Sequence, residues 1–426
     1  MSAKTLIDCE TKTSLMDVYL LLGRILFHNG ATVKRIQQSI AYLHKYFGED
    51  QLHVLVEYDA IIITDINGDK FETKVDRAHG FSSVNIEAIV NVSKLLSSLE
   101  QQTVSAALVA EKLRKIDAPK TGSQLVNHVV FALAGVLFGL LNRGDWWFIA
   151  VVFPAALVVS VCKTALVERH FNLYVSTLVA ATTGMLTACA LISFVPTQTA
   201  LLALISPLLP LVPGLPLING GTDILRNHNS VGLARMAFAA MMVGVLVAAV
   251  CLPVALFPQL IAKTQLVIHS NGYYLVQDLI LGGIGAVVIA KIFDAPKNLF
   301  LLFALGGALA RGVRAVLLLY CGADNVTAAF CGALSVTILG YFLVKNSRLP
   351  ISIYGVVCSV MLIPGFLLIA GLKDCFLLAR LPVEAITLEF IAHTAQTLVR
   401  AFLIVAAILG GVMFPALLLD GRKPRI

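Results

Sequence analysis

Leu211-Val212-Pro213-Gly214-Leu215-Pro216 and Leu362-Ile363-Pro364-Gly365 are one interruption written twice, 151 residues apart, each inside a long apolar run. Proline withdraws a helical N–H and glycine loosens the backbone, so each pair predicts a break in a membrane helix. Within lipid, backbone groups freed at a break need burial in protein or a polar cavity. Broken helices at matching places in two halves are the sequence-level pointer to a carrier's binding site.

The rest of the chain fits that setting. Its 426 residues are 58% hydrophobic with a mean hydropathy of +0.86, more apolar than a soluble surface allows. Charge divides the chain: residues 1–120 hold 14 Lys+Arg and 15 Asp+Glu, whereas residues 121–426 hold 18 and 10. The net charge of +7 therefore belongs to the apolar part and gives no reason to expect a nucleic-acid partner. Residues 1–12 are polar and lack the apolar core of a secretory signal, so the N-terminal region is expected to stay in the cytoplasm. Eight cysteines are scattered without a CxxC or Cys/His cluster, so neither a disulfide framework nor a metal site is expected, and no cofactor motif is present.

From Ser123 onward the apolar runs are long enough to cross a bilayer, which takes about 20 helical residues. Ten spans are predicted near 124–141, 146–164, 174–195, 199–219, 231–256, 274–293, 297–320, 324–345, 350–372 and 389–416. The fourth and ninth carry the Pro-Gly breaks. With the N-terminus inside, the even-numbered connections and the tail carry ten Lys/Arg. The opposite side carries four: Arg143, Lys263, Lys373 and Arg380. That bias predicts cytoplasmic N- and C-termini. The 151-residue shift also superposes Asn127 on Asp278. Five spans per half is an odd number, so the second half enters from the opposite side, as in the inverted repeats of alternating-access carriers. The expected layout is an α+β cytoplasmic domain over 1–120 and two inverted five-helix repeats over 121–260 and 270–426.

In the N-terminal region, helical spacing over Ser14 to Asn29 is followed by a second helix to about Phe47. Strands are predicted at Leu52–Glu57, Ala60–Asp65 and Phe71–Asp76, the last after the hairpin dipeptide Asn67-Gly68, and two more helices follow. His28, Asp59 and His79 form no spaced catalytic pattern, and there is no GxSxG, P-loop or DxD motif. The chain is not expected to be an enzyme. A membrane-anchored hydrolase using this domain is the alternative of another class.

Ionisable residues inside lipid cost on the order of 2.5–3.5 kcal/mol on insertion scales and need a reason to exist. Asp278 lies early in the sixth span. Arg311 and Arg314 share a face of the seventh, and Arg235 sits one turn inside the fifth. On the tenth, Glu389, His393, Gln396 and Arg400 form a polar stripe. Cationic side chains beside broken-helix termini favour a substrate carboxylate. Asp278, Glu389 and His393 are the candidates for proton coupling. Asn219-Gly220-Gly221-Thr222-Asp223, downstream of the first break, reads as flexible backbone at the cytoplasmic mouth.

Leu211 through Asn219, then Asp223, then Gly232-Leu233-Ala234-Arg235, resembles the signature of the threonine/serine exporter family. His28-Asn29-Gly30-Ala31-Thr32 is similar to that family's N-terminal domain. Gln277-Asp278-Leu279-Ile280, Arg314 and Ile363-Pro364-Gly365 resemble its smaller C-terminal module. The resemblance spans essentially the whole chain and implies the fused form of a two-component exporter. It implies export of threonine and serine across a bacterial inner membrane, driven by protons; a split pair in the family is linked to succinate, which makes dicarboxylate export the rival. Pro213, Gly214, Asn219, Asp223, Arg235, Arg314, Pro364 and Gly365 match the motifs and are the candidate substrate-binding set. The implied partners are a small-molecule substrate and the lipid bilayer, with a homo-oligomer left open.

Overall fold

The computed structural model describes residues 14–47, 51–77, 84–99, 104–118, 122–256, 273–344 and 347–419. His79 and Lys263 lie outside them, as do Cys9, one of the eight cysteines, and Lys345, Arg422, Lys423 and Arg425, four of the ten Lys/Arg counted on the inside.

The N-terminal domain combines four helices with a three-stranded sheet. In α1 (Leu15–His28), the Ser14 hydroxyl accepts from the Met16 N–H, and Val18, Leu22, Ile25 and Leu26 are fully buried on one side. The helix stops at Asn29-Gly30, where Gly30 takes φ +86°, a value only glycine adopts freely. Helix α2 (Val33–Phe47) follows, then β1 (Gln51–Val56), β2 (Ala60–Asn67) and β3 (Lys70–Arg77), an antiparallel meander in sequence order. Helices α3 (Ile86–Ser98) and α4 (Ala106–Asp117) are capped by the Asn85 and Ser105 side chains. Every predicted element of this domain is present.

The membrane part begins with α5 (Gln124–Leu141), α6 (Ile149–Glu168) and α7 (Leu173–Ile192). A bent pair follows: α8 (Ala200–Ile205), extended by a 3-10 turn over Ser206–Leu211, meets α9 (Gly214–Leu225) at 55°. Helix α10 (Asn229–Leu256) completes the first repeat. The second runs through α11 (Tyr273–Ile292), α12 (Phe300–Tyr320) and α13 (Asn325–Leu343). Its own bent pair is α14 (Ile351–Ser359), with a 3-10 turn over Val360–Leu362, meeting α15 (Gly365–Arg380) at 53°; α16 (Leu388–Leu419) ends it. The 151-residue register is kept at element starts: Ile149 and Phe300, Ala200 and Ile351, Gly214 and Gly365.

Among the described residues, eight helices are long and apolar enough to cross alone, and the number is ten if each bent pair is one span. Parity decides how the first pair is counted. Arg235, near the start of α10, donates to the Ala31 carbonyl of the N-terminal domain, so α10 starts on the domain's face. Three crossings from that face end on the other, and only a fourth crossing brings the chain back. The sixth span obeys the same count, because its C-terminal Phe293 and Asp294 carbonyls accept from the Ile86 and Glu87 N–H groups of α3. The inversion is visible where α5 meets α11: the amide of Gln277, early in α11, donates 3.4 Å to Leu140 O at the end of α5.

The broken spans run further than predicted, to Leu225 and Arg380. The Asn219–Asp223 stretch, read as a flexible mouth, is helix. Its glycines serve packing. A Cβ on Gly232 would stand 2.8 Å from the Gly220 carbonyl, so α9 and α10 touch backbone to backbone there.

Candidate functional site

Each break is an inverse γ-turn. Pro213 has φ −77° and ψ 63°, Pro364 has φ −82° and ψ 51°, and the following glycine N–H reaches back to the carbonyl two residues earlier (Gly214 to Val212, 2.7 Å; Gly365 to Ile363, 2.9 Å). The proline fixes φ and ends the upstream half, and the glycine starts a new helix, in whose first turn the Leu217 and Leu368 N–H groups donate to the Pro213 and Pro364 carbonyls. The two breaks confront each other. A Cβ on Gly214 would lie 2.6 Å from Ile363 Cδ1, and one on Gly365 would lie 3.3 Å from Leu209 Cδ2.

Between them is a cavity of about 20 Å³, lined by Phe138, Asn142, Leu209, Val212, Gly214, Val360, Ile363, Gly365 and Phe366. That is room for about one water, far less than an amino acid. The N-termini of α9 and α15, the positive ends of two half-helices, both reach this cavity.

A charged cluster adjoins the cavity on the face opposite the N-terminal domain. Asp278 of α11 is 2% exposed and receives Arg143 Nη2 and Arg311 Nη2, each at 2.7 Å. Arg143 follows α5 with φ +71° and stacks over the Tyr274 ring at 4.4 Å. Arg311 also donates to Leu141 O at 3.2 Å and Met361 O at 3.4 Å, neighbours of the cavity-lining Asn142 and Val360. Arg314, one turn along α12, donates to Asn325 Oδ1 at 2.9 Å and lies in the field of Arg311, Arg143 and Asp278. Two guanidiniums thus share one carboxylate, and a third stands in their field.

Asn219, Asp223 and Arg235 come together elsewhere, at the docking point of the N-terminal domain. Asp223 is 0% and Arg235 2% exposed, and they pair at 2.5 Å. Asp223 accepts from Val33 N at 3.1 Å, Asn219 donates to Gly30 O at 2.9 Å, and Arg235 donates to Ala31 O at 2.8 Å and lies 5.5 Å from the Phe27 ring centre. In this conformation their polar groups hold the Gly30–Val33 backbone of the domain.

The threonine/serine exporter model ThrE matches residues 17–257, and the threonine/serine exporter model ThrE_2 matches residues 278–418. The chain belongs to the threonine/serine exporter family. Both exporter modules are joined in one polypeptide. Among similar proteins, the "Probable succinate transporter subunit YjjP" of Escherichia coli K12 is 26% identical over 238 residues, 55% of this chain and 91% of that protein. The protein of the same name from Klebsiella aerogenes is 26% identical over 222 residues, 51% of this chain and 84% of its own length. No solved structure matches.

In this exporter-family chain the eleven candidate residues fall into four places. Pro213, Gly214, Pro364 and Gly365 form the breaks; Asp278 and Arg314 belong to the charged cluster; Asn219, Asp223 and Arg235 hold the domain. Glu389 and His393 are exposed on the outer face of α16, as are Gln396 and Arg400. Sequence reasoning missed Arg143, which reads as an isolated loop cation 135 residues from its partner. The repeat offset carried an unused signal, because 151 residues also relate Ser160 to Arg311 and Lys163 to Arg314. The second half therefore concentrates charge at positions the first half fills with Asn127, Ser160 and a single lysine.

Proposed function

We propose that the chain is a secondary carrier exporting small carboxylate-bearing metabolites, L-threonine and L-serine first, across a bacterial inner membrane, with the N-terminal domain and both termini in the cytoplasm. One observation carries this reading: two half-helix N-termini converge on one small cavity between inverted repeats. Such termini favour a carboxylate, and rocking of one repeat against the other would expose the site alternately to each face. Pro213, Gly214, Pro364 and Gly365 shape the site, and Arg314 supports it from α12. Asp278 is the proton carrier in this scheme, because its protonation would release two arginines. Export is proton-coupled on this reading.

Dicarboxylate export is the second reading, favoured by the surplus of three arginines over one carboxylate beside the cavity. Counterflow of labelled threonine, serine and succinate in proteoliposomes, with and without a pH gradient, tests both. Saturable, trans-stimulated exchange of threonine supports the first and of succinate alone the second. Transport of neither removes the carrier assignment.

A further inference from the structure

We propose that Arg143, Arg311 and Arg314 form a carboxylate subsite in which Asp278 is the resident occupant, and that an outgoing substrate carboxylate takes Asp278's place on these arginines as it leaves. This deepens the carrier reading and rests on it.

The cluster is built for more anion than it holds. Asp278 saturates one N–H of each of two guanidiniums. Among the described residues, Arg143 Nη1, Arg311 Nε and Arg314 Nε are buried without a hydrogen-bond partner, and Arg311 as a whole is only 5% exposed. Buried, unpaired guanidinium donors are costly, and a bidentate carboxylate is the group whose geometry satisfies them. The site is also adjacent to where a substrate rests. Arg311 bonds the carbonyls of Leu141 and Met361, one residue from two walls of the Pro-Gly cavity. Its position is fixed by close packing, since a Cβ on Gly282 would meet the Arg311 side chain at 2.7 Å.

The same ion pairs join the end of α5 to α11 and α12, so they tie the first repeat to the second on the face opposite the domain. At the repeat-related positions on the domain's face, Asp278 and Arg311 are replaced by neutral groups, an exposed Asn127 and a Ser160 that bonds His128 at 2.9 Å, whereas Arg314 corresponds to Lys163 and Arg143 to Asp294. The Asp278 ion pairs hold the two repeats together at the mouth opposite the domain. A substrate carboxylate that replaces Asp278 on Arg143 would loosen that hold while keeping the arginines paired.

The test is equilibrium binding to purified full-length protein in detergent, with L-threonine, succinate and threoninol (threonine with its carboxylate replaced by CH2OH) as probes. Asp278→Asn removes the internal competitor, so the Kd for threonine and succinate should fall about tenfold or more, with threoninol unchanged. Arg314→Gln leaves both Asp278 ion pairs in place and should raise those Kd values about tenfold. If Asp278→Asn cannot be purified as a monodisperse protein, Arg314→Gln decides alone. Carboxylate affinity unchanged or weakened in Asp278→Asn, or unchanged in a folded Arg314→Gln, overturns the subsite. A wild-type chain that exchanges threonine while both variants bind like wild type keeps the carrier reading and loses this site. A wild-type chain that neither binds nor exchanges any carboxylate loses both.

Discussion

Asp223 and Arg235 are 12 residues apart and close a buried ion pair at 2.5 Å that also grips the N-terminal domain by its backbone. Removing one partner strands the other charge, a loss of about 3–5 kcal/mol for a buried pair. Arg235→Ala or Asp223→Ala alone is therefore expected to lower the thermal midpoint and expose the Gly30–Val33 turn to protease. The double variant should be less destabilised than the sum of the singles. Additive losses in a double-mutant cycle would show that the two residues do not act as a unit.

Gly307 is expected to tolerate no side chain. Its Cβ would overlap the Gly282 carbonyl and Ala286. A methyl group there must push α11 from α12, at about 1–3 kcal/mol, and carry Arg311 away from Asp278. Gly307→Ala should lower both thermostability and transport, whereas Gly322→Ala, with nothing near its Cβ, should show only the smaller strain of its φ of +63°. Equal midpoints for the two would contradict the packing account.

Asp145 links two connections on the face opposite the domain. Burial pushes its carboxyl up, but hydrogen bonds from the Thr197 hydroxyl, the Gln198 and Phe148 N–H groups and the Thr199 hydroxyl together hold it below the usual carboxylate range. A depressed folded pKa gives stability that is present above the unfolded value of about 3.9 and is lost as pH falls through the folded value. The wild-type advantage over Asp145→Asn should thus be full above about pH 5 and shrink below about pH 4. A midpoint difference independent of pH would remove this role.

Glu389 and His393 face outward on α16, whereas Asp278 lies among the arginines. Glu389→Gln and His393→Asn should keep the stimulation of transport by a pH gradient, and Asp278→Asn should abolish it. Loss of coupling in either α16 variant, with Asp278→Asn still coupled, would move the proton pathway to that helix.

Much of this architecture could be read from residue spacing. The Pro-Gly register predicted two breaks because proline and glycine act locally, and the breaks stand where the spacing put them. What stayed hidden depends on long-range contact. Arg143 gains meaning only through Asp278, which antiparallel packing of α5 on α11 brings to it. Asn219 and Asp223 entered the candidate substrate set because they match the exporter motifs; in this conformation their side chains bond the Gly30–Val33 backbone. The 4-3-4 spacing of Glu389, His393, Gln396 and Arg400 correctly gives one helix face but not which way that face looks.

Two inverted repeats, left alone, would make the molecule nearly indifferent to being turned upside down. The N-terminal domain cancels that indifference by gripping α9 and α10 of one repeat and the end of α11 of the other, all at one pole. No such clasp can make a passive machine run one way, since its forward and backward cycles pass through the same states. It can weight the resting population, so that one pole waits open more often than the other. Joining the clasp and both repeats in a single chain keeps them in equal numbers, whatever the expression level.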